Sequence, residues 1–325
     1  AGGGGGGAGG GALEFGALGS LSVAGTVDVQ GGRGGSDGGL SWGGAGGGGS
    51  GGGAFFHGST VDLSAATVLA NGGIAGASSG DETLIGAGGG GGGRIAIQHG
   101  ESVDAAGTLV VAGGAGGNPN GGTDGLSGTS ATRQAVLQTT GINFGTVRAG
   151  TRLDASFQLS NLGAAGTSIN GWIPAPDGDF AGGGEAFSGL KPGEPATAQL
   201  TYAPRRNGAH AGSVDILSNG GGASVSLSGN AVGPEIDATN LFGSTLRYGS
   251  VQIDGGTATF DLEISNGATT DLPDDLSGLT LMTVSFSGDD DSHFSLQGFT
   301  PGTILGESES QPISLLFDPL DQYGV

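Results

Sequence analysis

The stretch that decides the fold is GGGGGGRIAIQHGESVDAAGTLVVAGG, residues 88–114. A glycine run leads into an apolar run, a turn-like segment follows, and a second apolar run ends on two glycines. The same pattern occurs twice before it, each time 41 residues earlier. The residues in phase are Phe15, Phe56 and Ile97, then Val27, Val68 and Leu109, then Gly31-Gly32, Gly72-Gly73 and Gly113-Gly114. A fixed period of this length is typical of stacked repeats, in which each unit buries its apolar face against a neighbour.

Each repeat is predicted to contain two short β-strands. Val27 and Val29 are two residues apart, as are Leu109 and Val111, and this spacing indicates strands with one buried face. No apolar period of 3.6 residues is present, so helices are not predicted. The glycine runs before the strands have two interpretations. They either pack backbone to backbone in a sheet-like or polyglycine-II-like arrangement, or they form flexible loops, because ordering glycine is entropically costly.

Composition and charge exclude several classes of protein. Glycine accounts for 79 of the 325 residues, more than three times its usual frequency of about 7%. There is no cysteine, so disulfides and thiolate metal sites are excluded. The net charge of −21 disfavours nucleic acid and anionic membranes as partners. No apolar run reaches the roughly 18–20 residues that span a bilayer.

The first 117 residues resemble the glycine-rich repeats of large bacterial surface and secreted proteins. The resemblance rests on the glycine run before Arg94-Ile95-Ala96-Ile97 and on the run from Ala106 to Gly114. It implies a parallel β-helix, that is, a glycine-rich β-solenoid over residues 1–117. Residues 118–135, which are rich in Asn, Pro, Gly and Ser, are predicted to be a linker.

Two copies of a second kind of unit follow the predicted linker. The motifs that recur in order in both copies are Phe144-Gly145 and Tyr248-Gly249, Asn161 and Asn266, Phe180 and Phe294, Gly193-Glu194 and Gly306-Glu307, and Tyr202-Ala203-Pro204 and Phe317-Asp318-Pro319. This series resembles the ASH-type, or choice-of-anchor D, immunoglobulin-like domain of bacterial extracellular proteins. The resemblance implies β-sandwiches over residues 136–232 and 233–325. The second is expected to lack its last strands, because only six residues follow Pro319. Three interpretations are open: the sequence is a piece of a longer protein, a neighbouring subunit adds the missing strands, or proteolysis has removed them.

Few residues are candidates for binding chemistry. The carboxylates of Asp289, Asp290 and Asp291 are oxygen donors suited to calcium, but they lack the spacing of a calcium loop, so a plain acidic loop is the other interpretation. Arg205, Arg206 and Trp42 are assembly or contact candidates. The four histidines are predicted to be surface or turn residues, and no cofactor site or catalytic arrangement is predicted.

The sequence thus favours an all-β, non-enzymatic structural protein outside a bacterial cell. It would be a self-assembling subunit of a surface fibre, sheath or matrix, and so a homo-oligomer or filament with glycan or cell-envelope contacts. The alternative is a surface adhesin or carbohydrate-binding protein. The initial Ala followed by six glycines, with no Met, predicts a trimmed piece of a longer export precursor.

Overall fold

The structure, a computed structural model, describes residues 3–37, 43–78, 86–117, 121–234, 236–237, 246–253, 255–267, 278–288 and 291–319. Within these ranges every regular element is a β-strand, apart from the short 3-10 turn Asp291–His293. The predicted all-β class is therefore confirmed. The described residues contain no helix with the length and apolar character needed to cross a bilayer.

Two compact units make up the chain. The first unit comprises Ala1–Ile142, Asp154–Leu200 and Gly212–Leu227. The second comprises Asn143–Leu153, Thr201–Ala211 and Ser228–Val325. The glycine-rich region thus belongs to one unit with a large part of the sandwich that follows it.

The glycine-rich region forms two parallel sheets. Its strands are β1 (Ala12–Gly16), β2 (Ser20–Ser22), β3 (Gly25–Asp28), β4 (Gly53–Asp62), β5 (Ala66–Leu69), β6 (Arg94–Asp104), β7 (Thr108–Val110) and β8 (Thr129–Gln134). The first sheet has the order β1-β4-β6-β8, with β2 also paired to β4, and the second has the order β3-β5-β7. Phe15 lies beside Phe56 and Phe56 beside Ile97, so the 41-residue period seen in the sequence is the register of the first sheet.

The core of this region lies between the two sheets. Alternate residues of each strand point into it, and Phe56, Leu63 and Val68 are fully buried. The Phe15 and Phe56 rings stack with centroids 5.4 Å apart. Burial of each such apolar side chain stabilises the fold by about 1.5–3 kcal/mol, and no single layer could bury them alone.

The segment predicted to be a linker takes part in the first sheet. Strand β8 pairs in parallel with β6, with Thr132 beside Ile97. The glycines before β8 hydrogen-bond to the preceding layer, as Gly128 does to Val111. The linker prediction is therefore wrong for residues 121–135, which form a fourth layer. This layer could not be recognised from the sequence because it comes 35 residues after the third instead of 41, and it has polar Thr132 in place of a large apolar residue.

The first sandwich consists of two facing sheets. Its strands are β9 (Leu137–Thr139), β10 (Ile142–Arg148), β11 (Leu153–Asn161), β12 (Ile169–Ile173), β13 (Phe180–Gly182), β14 (Glu185–Leu190), β15 (Ala196–Tyr202), β16 (Gly208–Ser218) and β17 (Ala223–Val232). The sheet orders are β10-β17-β16-β12-β14 and β13-β15-β11-β9. Buried and exposed residues alternate along β11 and β17, so each sheet has one buried face. A two-layer β-sandwich is confirmed for this part of the chain.

The second sandwich has fewer strands among the described residues. They are β18 (Ile236–Asp237), β19 (Ala258–Asn266), β20 (Leu279–Leu281), β21 (Phe294–Gln297), β22 (Thr303–Leu305) and β23 (Ser310–Phe317). Strands β18-β19-β23-β21 form one sheet and β20-β22 another. The small core between them includes Leu262, Ile264 and Ile313.

Matching hydrogen bonds support the internal repeat of the two sandwiches. The buried Asn161 donates from Nδ2 to the carbonyl of Leu190 at 3.1 Å, and Asn266 donates in the same way to Leu305 at 3.1 Å. Gly145 and Gly249, which follow the motif aromatics, both have positive φ, 67° and 74°. That backbone region is open to glycine, as the sequence predicts.

Candidate functional site

The described glycine segments pack into an ordered array. Between layers, every third residue donates its N–H to the next layer. Gly4 donates to the carbonyl of Gly44 at 2.9 Å, Gly7 to that of Gly47 at 2.8 Å and Gly10 to that of Ser50 at 2.8 Å. Three residues per turn is the repeat of the polyproline-II helix, which has no internal hydrogen bonds and leaves every N–H available to a neighbour. The ordered interpretation of the glycine runs therefore holds in this structure.

Hydrogen bonds also join the runs before the strands to those after them. Gly32 donates to Ala8 at 2.7 Å, Gly49 to Gly32 at 2.9 Å, Gly73 to Gly49 at 2.8 Å and Gly90 to Gly73 at 2.9 Å. These bonds alternate between segments before and after the strands, and so connect each layer to the next. We call this set of glycine segments, residues 3–11, 29–37, 43–53, 70–78, 86–93, 111–117 and 121–128, the glycine array.

Glycine is required where the segments cross at close range. A Cβ on Gly90 would lie 1.9 Å from the Gly49 carbonyl oxygen, and one on Gly48 would lie 1.9 Å from that of Gly73. Real Cβ atoms do not approach backbone this closely, so any side chain there would force the segments apart. The many glycines of this region are thus a packing requirement.

One face of the glycine array has room for side chains and yet consists mostly of glycine. A Cβ on Gly6, Gly9, Gly88 or Gly91 would meet no atom closer than 3.6 Å, and one on Gly44 would meet none within 4 Å. None of these glycines has a positive φ. Thr123 and Leu126 continue the same row in the fourth layer, where Leu126 is 85% exposed. We call this set of positions, with Ser50, the open row.

Buried polar side chains fasten the parallel sheet to the first sandwich within one compact unit. Gln98 on β6 is 3% exposed, and its amide bonds both backbone groups of Ser168: Oε1 accepts from the N–H and Nε2 donates to the carbonyl, each at 2.8 Å. At the edge of this contact, the Glu101 carboxylate accepts from the Gly222 N–H at 3.1 Å. A buried backbone group left without such a partner costs about 1–3 kcal/mol.

Asn219 makes the second half of this contact. It is 1% exposed, its Oδ1 accepts from the Asn170 N–H at 2.9 Å, and its Nδ2 donates to His57 Nδ1 at 3.0 Å. The Asn170 bond fixes the orientation of the amide, so His57 Nδ1 must be an acceptor. His57 Nε2 then carries the proton and donates to Glu14 Oε1 at 3.0 Å. We call His57, Gln98, Glu101 and Asn219 the polar junction.

His99 lies beside this junction with its Nδ1 buried and unbonded. Burial lowers the pKa of His99 below its usual value, because the charged form is poorly solvated. A lowered pKa in the fold means that stability is complete above the unfolded pKa of about 6.5 and is lost as the pH falls through the folded value.

We therefore expect the chain to lose stability as the pH falls below the unfolded histidine pKa of about 6.5, and His99→Gln to reduce that loss. Urea unfolding at several pH values measures this loss of stability, and hydrogen exchange of the β6 amides is recorded at the same pH values. The control is the parent chain, in which His99 is in place. An identical pH dependence in the His99→Gln variant would contradict the assignment.

Only three of the binding and assembly candidates singled out from the sequence lie among the described residues, namely Arg205, Arg206 and Asp291. Trp42, Asp289 and Asp290 lie outside the described residues, and Asp291 begins the 3-10 turn. The described residues contain no cluster suited to a metal ion, and calcium binding stays a prediction. Arg205 and Arg206 are both exposed, in the segment between β15 and β16.

The junction residues were not predicted from the sequence. His57 was expected at the surface or in a turn, whereas it lies in β4 and 12% of its side chain is exposed. His99 was expected to begin a turn and lies within β6. The alternation of residues along the strands was the one available signal. It places His57 and Gln98 side by side on the face of the sheet opposite the buried Phe56 and Ile97.

Comparisons with known proteins add little to these observations. No protein-family model and no curated protein matches the chain. Among solved structures, a protein of unknown function from Porphyromonas gingivalis is 14% identical, covering 56% of this chain and 83% of its own, with a TM-score of 0.25. The human CEP192 ASH/PapD-like domain 7 is 16% identical, covering 30% and 84%, with a TM-score of 0.22. A three-domain titin fragment is 10% identical, covering 62% and 61%, with a TM-score of 0.22. Scores of this size assign no fold, so the sandwich rests on the strand pairing described above.

Proposed function

We propose that this chain is a structural protein outside a bacterial cell, a self-assembling subunit of a surface fibre, sheath or matrix. The observation that carries the proposal is the glycine array. Its segments hydrogen-bond to the next layer of the stack, and the segments before the strands also hydrogen-bond to those after them. Backbone bonds in two directions resist both shear and bending. Such an arrangement suits a load-bearing element, and the function we propose is structural and not enzymatic.

The stacked layers are proposed to be successive turns of a β-solenoid. The in-register pairs Phe15, Phe56 and Ile97 support this, because one repeat of sequence advances the chain by one strand of the sheet. The polar junction supports a mechanical function as well, since its side-chain hydrogen bonds join the stack directly to the first sandwich.

The sandwiches are proposed to be ASH-type, immunoglobulin-like modules of the choice-of-anchor D kind. The equivalent Asn161 and Asn266 bonds, and the positive φ of Gly145 and Gly249, support one module type used twice. Modules of this kind would space or join subunits along a fibre, with glycan or cell-envelope contacts at its surface.

Self-association is proposed to use two features. The open row leaves backbone accessible where side chains would fit, which permits close lateral contact with another subunit. Charge provides the second feature: residues 233–325 carry Arg247 alone against 15 acidic residues, whereas Arg205 and Arg206 are exposed in the first sandwich. Opposite charges of this kind orient subunits head to tail.

We expect the purified chain to form filaments visible by negative-stain electron microscopy. The double variant Arg205→Ala with Arg206→Ala should shorten them, and so should about 1 M salt, where the Debye length is about 3 Å. Lys191→Ala, which removes another exposed basic residue of the same sandwich, is the control and should leave them unchanged. Dispersed monomers under all conditions would overturn the proposed function, and filaments indifferent to salt would overturn the charge contact.

A further inference from the structure

A hollow of about 410 Å³ lies on the outer face of the first parallel sheet. Its volume is within the range of about 300–1,000 Å³ that is typical of small-ligand sites. Three large side chains line it, those of Glu14, Phe55 and Arg94, and the outer-face residues between them are small, among them Gly53 and Ala96. All of these residues belong to the first compact unit.

The strand register brings the three large side chains together. Glu14 of β1 lies directly beside Phe55 of β4. Arg94 of β6 lies beside Gly53, which is two residues before Phe55 and so on the same face of the sheet. Neighbouring strands are about 4.8 Å apart, so one small ligand can reach all three side chains. Gly53 and Ala96 leave the space between them open.

His57 holds two of these side chains in position. Its Nε2 donates to Glu14 Oε1 at 3.0 Å, and its ring lies against that of Phe55, with centroids 5.0 Å apart. His57 is held in turn by the buried Asn219. Side chains that are fixed before a ligand arrives lose less entropy when it binds. The hollow is therefore preorganised by the polar junction beside it.

Both charged groups of the hollow have hydrogen-bonding capacity left. Arg94 is exposed, and within the described ranges its guanidinium group, with five N–H donors, has no hydrogen-bond or ion-pair partner. Glu14 Oε1 accepts from His57, whereas Oε2 accepts from no described residue. Since the two charges are opposite, the hollow has no net charge. It offers donors on one side, acceptors on the other, and an aromatic ring on the strand between them.

A sugar ring has the features that match this arrangement. One face of a pyranose ring consists of C–H groups, which pack against the negative face of an aromatic ring. The hydroxyl groups at its edge both donate and accept hydrogen bonds, as a carboxylate and a guanidinium group require. A neutral sugar suits the hollow better than an acidic one, because the hollow has no net charge and the chain carries −21.

We propose that this hollow binds a neutral sugar residue of a polysaccharide. The sugar ring lies on Phe55, one hydroxyl donates to Glu14 Oε2 and another accepts from Arg94. The proposal rests on the glycan contacts of the proposed function and assigns them to particular residues. Because the hollow is open to solvent on one side, it can hold one unit of a longer sugar chain.

The test is an array of neutral and uronate-containing oligosaccharides probed with the full chain, followed by calorimetric titration with the neutral oligosaccharide that gives the strongest signal. We expect neutral oligosaccharides to bind equally at about 0.1 and 1 M salt, because no charge on the ligand is screened. Phe55→Leu removes the ring face and Arg94→Ala removes charge-assisted hydrogen bonds. Each should weaken binding by roughly tenfold or more.

Two further variants separate the site from effects on the fold. Phe55→Tyr brings back the ring face, so it should recover most of the binding that Phe55→Leu loses. Arg33→Ala removes an exposed arginine of the same region outside the hollow, and it should bind as the parent does. Absence of binding to every neutral oligosaccharide, or equal affinity in Phe55→Leu, Arg94→Ala and the parent, would overturn the proposal. A preference for uronates that is lost at about 1 M salt would show that Arg94 holds an anion, and would overturn it too.

Negative-stain electron microscopy of the same samples keeps this proposal distinct from the proposed assembly. Filaments of a parent chain that binds no glycan would overturn the sugar site and leave the structural function standing. Glycan binding by dispersed monomers, lost in Phe55→Leu and recovered in Phe55→Tyr, would support the sugar site and overturn the assembly.

Discussion

Gly90→Ala will destabilise the glycine array strongly, and Gly91→Ala, one residue further on, will not. The methyl group at Gly90 would lie 1.9 Å from the Gly49 carbonyl oxygen, which is fixed backbone, so the two layers must separate. At Gly91 the nearest atom is 3.8 Å away, which is ordinary contact. Overpacking of this kind costs about 1–3 kcal/mol.

Loss of the bond from Gly90 to Gly73 adds to this, so we expect about 3 kcal/mol in all. Alanine at Gly91 should be neutral or stabilising by about 0.4–1 kcal/mol, because it restricts the unfolded chain.

Hydrogen exchange followed by mass spectrometry on residues 86–93 measures this difference. A loss of about 3 kcal/mol in local stability corresponds to exchange roughly a hundredfold faster, since each 1.4 kcal/mol is a factor of ten. Gly91→Ala serves as the matched control because it has the same chemistry in the same run. Equal exchange in the two variants would mean that the glycine segments are not packed as described.

Gln98→Ala will weaken the attachment of the parallel sheet to the first sandwich. It leaves the partly buried N–H of Ser168 without its partner at 2.8 Å, and the carbonyl with only the longer bond from Asn219 Nδ2 at 3.4 Å. The unsatisfied N–H at about 1–3 kcal/mol, together with the lost bond to the carbonyl at about 1 kcal/mol, predicts a loss of about 2–4 kcal/mol. The effect should appear as faster exchange of the Ser168 and Asn170 amides, and as separate unfolding of sheet and sandwich where the parent unfolds in one step.

The control for this variant is Gln134→Ala on the neighbouring strand. Gln134 is exposed and donates one bond, to the Gly100 carbonyl at 2.9 Å, so its removal should cost less than about 1 kcal/mol. Unchanged protection of residues 168–170 in the Gln98→Ala variant would show that Gln98 does not hold the sandwich.

The repeat and the strands could be predicted from the sequence because they depend on local spacing. The phase of Phe15, Phe56 and Ile97 predicts the register found in the first sheet. The fourth layer could not be predicted, because Thr132 carries no apolar signal and its repeat is shorter. A parallel strand needs only a partner strand with unpaired backbone groups, and the glycines before β8 bring its backbone within hydrogen-bonding distance of the third layer.

The polar junction could not be predicted because its partners are distant in the chain. Gln98 and Ser168 are 70 residues apart, and Asn219 and His57 are 162 apart. A polar residue on the outer face of a strand is ordinarily solvated, and nothing in its own neighbourhood distinguishes it from one that is buried. Only the position of the sandwich on the sheet makes the distinction.

By itself, the sequence determined the all-β class, the 41-residue stacking of the first three layers and the doubled sandwich motif, because each depends on which residues alternate or recur. Tertiary structure alone decided that the glycines are packed and not loose. The reason is that a glycine run has no side chains whose polarity or spacing could indicate how it packs. Its order comes from backbone N–H and carbonyl groups of other segments, which reach it at 2.6–3.0 Å only when the strands beside them have paired.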